Sequence, residues 1–194
     1  GNSLNDFRLY GKRFDDHVIW SGELDYTRLR FNYYGYDDSF GVLENDKDAR
    51  DSIKQIYNQI RAKFGFKNFD TSNVFNYDVK LSFGNIADLN KAKEMEVAAN
   101  IDVAYRLSDA EIILPSDIYI TKYQNGVIDQ NRNFINVKPH YKRRREGKFI
   151  YELGFNFNYE NDSLNDKNVH LYPVLRGTYV INKITGMSLL AGVE

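Results

Sequence analysis

The sequence predicts an all-β fold, an antiparallel up-and-down meander that forms part of a transmembrane β-barrel. Three observations lead there. From Phe75 onward, segments of about ten residues alternate apolar with polar and are separated by turn formers, as strands with two unlike faces do. Aromatic residues make up 15% of the chain, with 15 Tyr and 13 Phe, a bias that suits pleated surfaces and membrane interfaces. No stretch approaches the roughly 18 apolar residues of a membrane helix, whereas a barrel strand crosses with about 9 to 11 residues of which every second is apolar.

Residues 17–36 open the pattern. Val18, Trp20, Leu24 and Tyr26 share one face, after which Leu29, Phe31 and Tyr33 continue with opposite parity. One extra residue near Thr27 would shift the register, so a β-bulge is expected there. Residues 51–66 carry two periodicities. Ile53, Ile56, Tyr57, Ile60 and Phe64 have helical spacing, with Asn45 or Asp46 to cap and Gly65 to stop; Ile56, Ile60, Ala62, Phe64 and Phe66 share one face of a strand. The spacing of the connections decides for a strand followed by a short turn at 68–72, because a helix would put a long insertion where a turn belongs.

Residues 74–85 set Phe75, Tyr77, Val79, Leu81 and Phe83 against Asn76, Asp78, Lys80 and Ser82, and residues 97–107 set Val97, Ala99, Ile101, Val103 and Tyr105 against Asn100, Asp102 and Arg106. Strands at 111–122 and 133–143 follow. The clearest copy is 148–160, with Tyr151, Leu153, Phe155, Phe157 and Tyr159 on one face and Glu152, Gly154, Asn156 and Asn158 on the other. A strand at 169–181 and the closing alternation from Met187 bring the expected total to about nine. An alternation that runs to the last residue predicts that 1–194 is one barrel-type domain and a fragment of a longer protein. The connections at 108–110, 144–147 and 182–185 are short, and those at 85–96, 123–132 and 161–168 are long and polar. That alternation is the layout of outer-membrane barrels, whose short turns gather on one side of the membrane and longer loops on the other.

Composition narrows the function. A formal net charge of -1 argues against a dedicated nucleic-acid binder, and the absence of cysteine excludes disulfides and thiolate chemistry. The sequence holds no GxSxG elbow, no Walker-type loop and no carboxylate pair placed for acid–base work, so no enzyme activity and no cofactor are expected. His17, His140 and His170 lack metal-ligand spacing. The acidic stretch Glu44, Asn45, Asp46, Asp48 and Asp51 lacks the order of an EF-hand and reads as a solvated loop. The run Lys142-Arg143-Arg144-Arg145 reads as a solvated turn, with anionic headgroups as the other partner such charges suit. On the polar face, Asp78, Lys80, Asp102, Arg106 and Glu152 are the candidates to line a lumen and select a solute by charge; ordinary solvent-facing strand residues or a mutual ion-pair network is the other reading.

Through Trp20-Ser-Gly-Glu-Leu-Asp-Tyr-Thr-Arg28, Phe31-Asn-Tyr-Tyr-Gly35, the stretch from Val169 to Tyr179 and the closing Leu190-Ala-Gly-Val-Glu194, the chain resembles TonB-dependent-receptor-like outer-membrane β-barrel proteins of the Bacteroidetes type. The resemblance implies a barrel segment of the cell outer membrane, with outer-membrane lipid and a polar small solute as partners, and no catalytic residues to carry over. Pro139 and Pro173 depart from it, since each falls inside a predicted strand and removes a ladder donor; edges, bulges or a locally open sheet are expected at both. The expected function is therefore solute uptake or transport, or envelope organisation. The alternative is a soluble all-β module, lipocalin-like or a sandwich, whose aromatic face is an interior for an apolar ligand. The two readings differ in which face is outside, which a period of two does not reveal.

Overall fold

The computed structural model describes residues 3–32, 54–70, 72–143, 149–162, 167–182 and 187–193. Among them every regular element is a strand: β1 Ser3–Phe14, β2 Val18–Asn32, β3 Lys54–Asn68, β4 Phe75–Asp88, β5 Lys93–Arg106, β6 Ala110–Gln124, β7 Asp129–Val137, β8 His140–Arg143, β9 Phe149–Asp162, β10 Asn168–Asn182 and β11 Met187–Val193. They pair antiparallel, in chain order, in one sheet, with β8 taking up where β7 stops between β6 and β9. The all-β antiparallel meander is the fold of this chain. Among the described residues no ladder joins β1 to β11.

The register keeps each face continuous across the sheet. One transverse row runs from Trp20 through Phe66, Val79 and Ile101 to Ser116, Val137, Phe157 and Leu171. A row of the other parity runs from Arg8 through Asp25, Arg61, Gly84 and Glu96 to Thr121, Arg132 and Asp162. A slip of one residue anywhere would mix the two, which is why alternation this strict fixes the pairing.

Several expectations are corrected. The sheet has eleven strands rather than about nine. β1 escapes the pattern because only Phe7 and Leu9 mark its apolar face, and 133–143 is divided at Lys138-Pro139. No bulge lies near Thr27: β2 pairs β3 in unbroken register from Val18↔Asn68 to Asn32↔Lys54. The change of parity in β2 is a change of face chemistry instead, with Phe31 stacked on Tyr57 at 5.8 Å on the polar side and Arg28 and Arg30 on the opposite one. Tyr33 lies outside the described residues.

The long connections expected at 85–96 and 123–132 shrink to 89–92 and 125–128, because the ladders continue past the apolar band into hydrophilic residues. Asp88 and Asn125 close these tight loops. Asp88 Oδ1 accepts from the Asn90 and Ala92 amides at 2.8 and 2.7 Å, and Asn125 Oδ1 from the Val127 and Ile128 amides at 3.1 and 2.8 Å. Gly126 takes φ 85°, and Lys91, at φ 68°, does the same with a side chain. Residues 54–66 thus belong to a strand, but because β3 is matched residue for residue by β2 and, from Tyr57 on, by β4, not because loop lengths alternate; 51–53 lie outside the described residues. The connections at 144–147 and 182–185 and the acidic stretch at 44–51 lie outside the described residues, apart from Asn182 as the end of β10.

The prolines act locally. In an antiparallel ladder a residue's N–H and C=O point to the same neighbour. Pro115 and Pro139 each accept, from Lys138 at 2.9 Å and Phe155 at 3.2 Å, and cannot donate in return, so two adjacent rungs are halved and the strand divides there with its register unchanged. Phe155 turns its amide toward Pro139, which leaves Pro173, its partner in β10, facing the other way. That side belongs to β11, whose described ladder ends at Leu175↔Val193.

The sheet has almost no core. The buried apolar residues among those described are Ile56, Ala98, Ala110 and Val174, while Gln55, Asn68, Glu111, Asn136 and Glu152 are as well hidden. The accessible surface is 14001 Å², against about 9,500 Å² for a compact protein of this mass. A single layer has two large faces, and something outside these residues must cover the apolar one.

Candidate functional site

The exposures of the two faces are inverted relative to a water-soluble sheet. Leu171 is 64% exposed, Phe64 46% and Leu81 45%, whereas Ala98 and Val174 on the polar face are 3% and 4% exposed and Glu152 is 9%. In a single layer only neighbours on the same face hide a side chain, so the polar face is the more crowded of the two.

The apolar face forms a band. Its lower limit is aromatic, with Trp20, Phe66, Tyr77, Tyr105, Tyr141 and Tyr151 near the end where the 15–17, 69–74 and 107–109 turns lie. Trp20 and Phe66 lie 5.6 Å apart, Phe66 and Tyr77 5.9 Å, and Tyr141 and Tyr151 6.3 Å. From Tyr151 to Tyr159, as from Tyr105 to Val97, the band covers roughly 26 Å along the strand, about 20 Å of height at a barrel strand's tilt. No charged residue interrupts it among those described. Opposite each other within it, Gly11 and Gly22 leave a groove of about 620 Å³ between Leu9, Trp20, Leu24 and Phe64.

The five candidate residues Asp78, Lys80, Asp102, Arg106 and Glu152 all lie on the polar face, and the register brings some of them together. Asp78 and Asp102 are direct cross-strand partners, a like-charge pairing relieved by Lys80, whose Nζ is 3.4 Å from Asp78. Arg106 lies 3.5 Å from Glu111 across β5 and β6. Glu152 stands apart from the other four. Its carboxylate lies 2.9 Å from His140 Nδ1 and 3.6 Å from Arg176 Nη1. Farther along the same face of β9, Asn156 and Asn158, with Asn136 opposite Asn158, hold buried amide oxygens with no protein partner.

Further pairs extend the polar network. Arg8 reaches Asp25 at 2.6 Å, Lys63 reaches Glu23 at 3.0 Å, and Asn100 donates to Asp117 at 2.7 Å. Near the loop end, Glu96, Tyr119, Thr121, Arg132, Glu160 and Asp162 bound a hollow of about 290 Å³, with Arg132 3.1 Å from Asp162. These residues escape a reading of the sequence because only the register of β5, β6, β7 and β9 unites them. Of the histidines, His140 serves Glu152, His170 stacks on Tyr172 at 5.9 Å, and His17 accepts from the Phe69 amide through its carbonyl. Of the basic run, Lys142 joins the polar face, Arg143 donates to the Tyr151 hydroxyl at 3.2 Å, and Arg144 and Arg145 lie outside the described residues.

No helix among the described residues is long and apolar enough to cross a membrane, which says nothing of strands. No family model, no curated protein and no solved structure matches the chain.

Proposed function

We propose that this chain is a non-enzymatic segment of an outer-membrane β-barrel, with its apolar face in lipid and its polar face toward an aqueous lumen. The observation that carries the reading is the inverted exposure: the face with the uncharged, aromatic-edged band is the open one, and the face that holds the acids is the crowded one. In water the reverse arrangement is stable, and the soluble ligand-binding alternative needs the aromatic face inside. The resemblance to TonB-dependent-receptor-like proteins points the same way and suggests uptake or docking of a polar solute, or envelope organisation. On that reading Asp78, Lys80, Asp102, Arg106 and Glu152 belong to the lumen wall.

The test uses the protein's single tryptophan, Trp20, at the edge of the band. Refolded with lipid vesicles, the protein should show heat-modifiable gel mobility and a blue-shifted Trp20 emission quenched by lipids brominated near the headgroup. A monomer that stays soluble without detergent and keeps Trp20 emission independent of lipid would sink the proposal.

A further inference from the structure

The charges at the margins of the apolar face are nearly all of one sign. At the loop end this face carries Arg28 and Arg30 of β2, Lys54 of β3, Lys93 of β5 and Lys122 of β6. At the turn end it carries Arg13 and Arg143. Asp129, 3.6 Å from Lys122, is its one acidic residue among the described strands. With 26 Lys+Arg and 27 Asp+Glu in the chain, a face indifferent to sign would hold both in similar number. The acids have instead gathered on the polar face.

The loop-end cations are also aligned. Arg28 lies in one transverse row with Asn58, Ala87, Lys93 and Gln124, and Arg30 follows it outward along β2. Arg28, Arg30 and Lys93 are exposed, and on this face Arg28 and Lys93 come directly after Tyr26 and Met95 of the band. Cations so placed can lay their aliphatic stems against the apolar margin and carry their heads beyond it.

We infer that this loop-end margin is a binding surface for phosphate-bearing lipid headgroups, an inference that deepens the membrane reading and rests on it. Charge selects the occupant: a row of cations directly above an uncharged band matches an anionic headgroup layer above acyl chains, and guanidinium matches phosphate in a two-pronged geometry. Each such cation near an anionic surface strengthens association on the order of fivefold.

Electron spin resonance of the protein in phosphatidylcholine vesicles, with spin-labelled phosphatidylcholine or phosphatidic acid as probe, measures how strongly each headgroup associates with the protein's perimeter. Phosphatidic acid should be favoured by roughly fivefold or more, and salt should weaken the preference. The combined variant Arg28→Gln, Arg30→Gln, Lys93→Gln should lose it; Arg61→Gln, Lys63→Gln, Lys67→Gln, on the polar face of β3, should keep it. Equal association of both probes with the unaltered protein, or a preference that survives the first variant, overturns the inference and assigns the margin to an acidic protein surface instead. Absence of a motionally restricted component for either probe overturns the membrane reading itself, and this inference with it.

Discussion

Gly154 illustrates how a single residue can fix the path of three strands. A Cβ built there would fall onto the Pro139 carbonyl oxygen and the His140 ring, so β8 comes this close to β9 only over a glycine. Gly154→Ala should destabilise the protein by about 1 to 3 kcal/mol, read as a lower urea midpoint in vesicles. Gly84→Ala is the control, since its nearest neighbour would be Glu96 Cβ at 3.8 Å, and its midpoint should barely move. In the turn after β3, Asp70 accepts from the Ser72 amide at 2.8 Å, and the Ser72 hydroxyl and amide hold its carboxyl below the ordinary range. A folded-state pKa lowered in this way stabilises at pH values above the unfolded pKa, and the gain is lost as pH falls through the folded one. Asp70→Ala should therefore be less stable than the unaltered protein at neutral pH and equal to it in strong acid; a difference independent of pH would contradict this. The sequence marks Gly154 and Glu152 as polar-face positions, but their partners Pro139, His140 and Arg176 come from other strands, so only the register reveals why either residue is needed.

At the scale of the element, period two made most strands legible, and the residues it grouped on one face in β3, β4, β5 and β9 do share one in the register. It failed where pairing does not need apolar residues. β1 divides its apolar side chains between both faces, with Leu4, Tyr10 and Phe14 opposite Phe7 and Leu9, and the hydrophilic ends of β4, β5, β6 and β7 read as loops although Asp88 and Asn125 allow tight turns beyond them. The parity change in β2 misled for a related reason: polarity marks a face only inside the band, and past it Arg28 and Arg30 stand on the apolar side. The band itself predicts a sharp contrast between neighbours. Leu81→Arg, in the middle of β4 on the exposed apolar face, should cost about 2 to 4 kcal/mol in a bilayer. Ser82→Arg, one residue on and on the polar face, should cost far less. Equilibrium folding into vesicles measures both, and similar losses would mean that the apolar face does not meet lipid.

For the whole molecule, the near-absence of a core decides what kind of stability is available. A sheet with its apolar face open cannot obtain in water the burial that offsets chain entropy, and the backbone ladders alone contribute little net free energy. Its fold must therefore be coupled to whatever covers that face. Hydrogen–deuterium exchange in vesicles and in detergent-free buffer should show this directly. In vesicles, the amides of β3, β4, β5 and β6, laddered on both sides, should exchange slowly and together. In buffer the same amides should lose that shared protection. β1 refines the test, because among the described residues it pairs with β2 alone and half of its amides face away from that partner. An unpaired donor is not tolerated in hydrocarbon, so in a membrane those outward amides must gain a partner from further strands or from a second copy. Slow exchange of alternate amides along Ser3–Phe14 in vesicles would reveal that closing partner. Fast exchange there, beside protected neighbours in β2, would mean that this edge lies in water and that the sheet does not stand in a bilayer as a closed barrel.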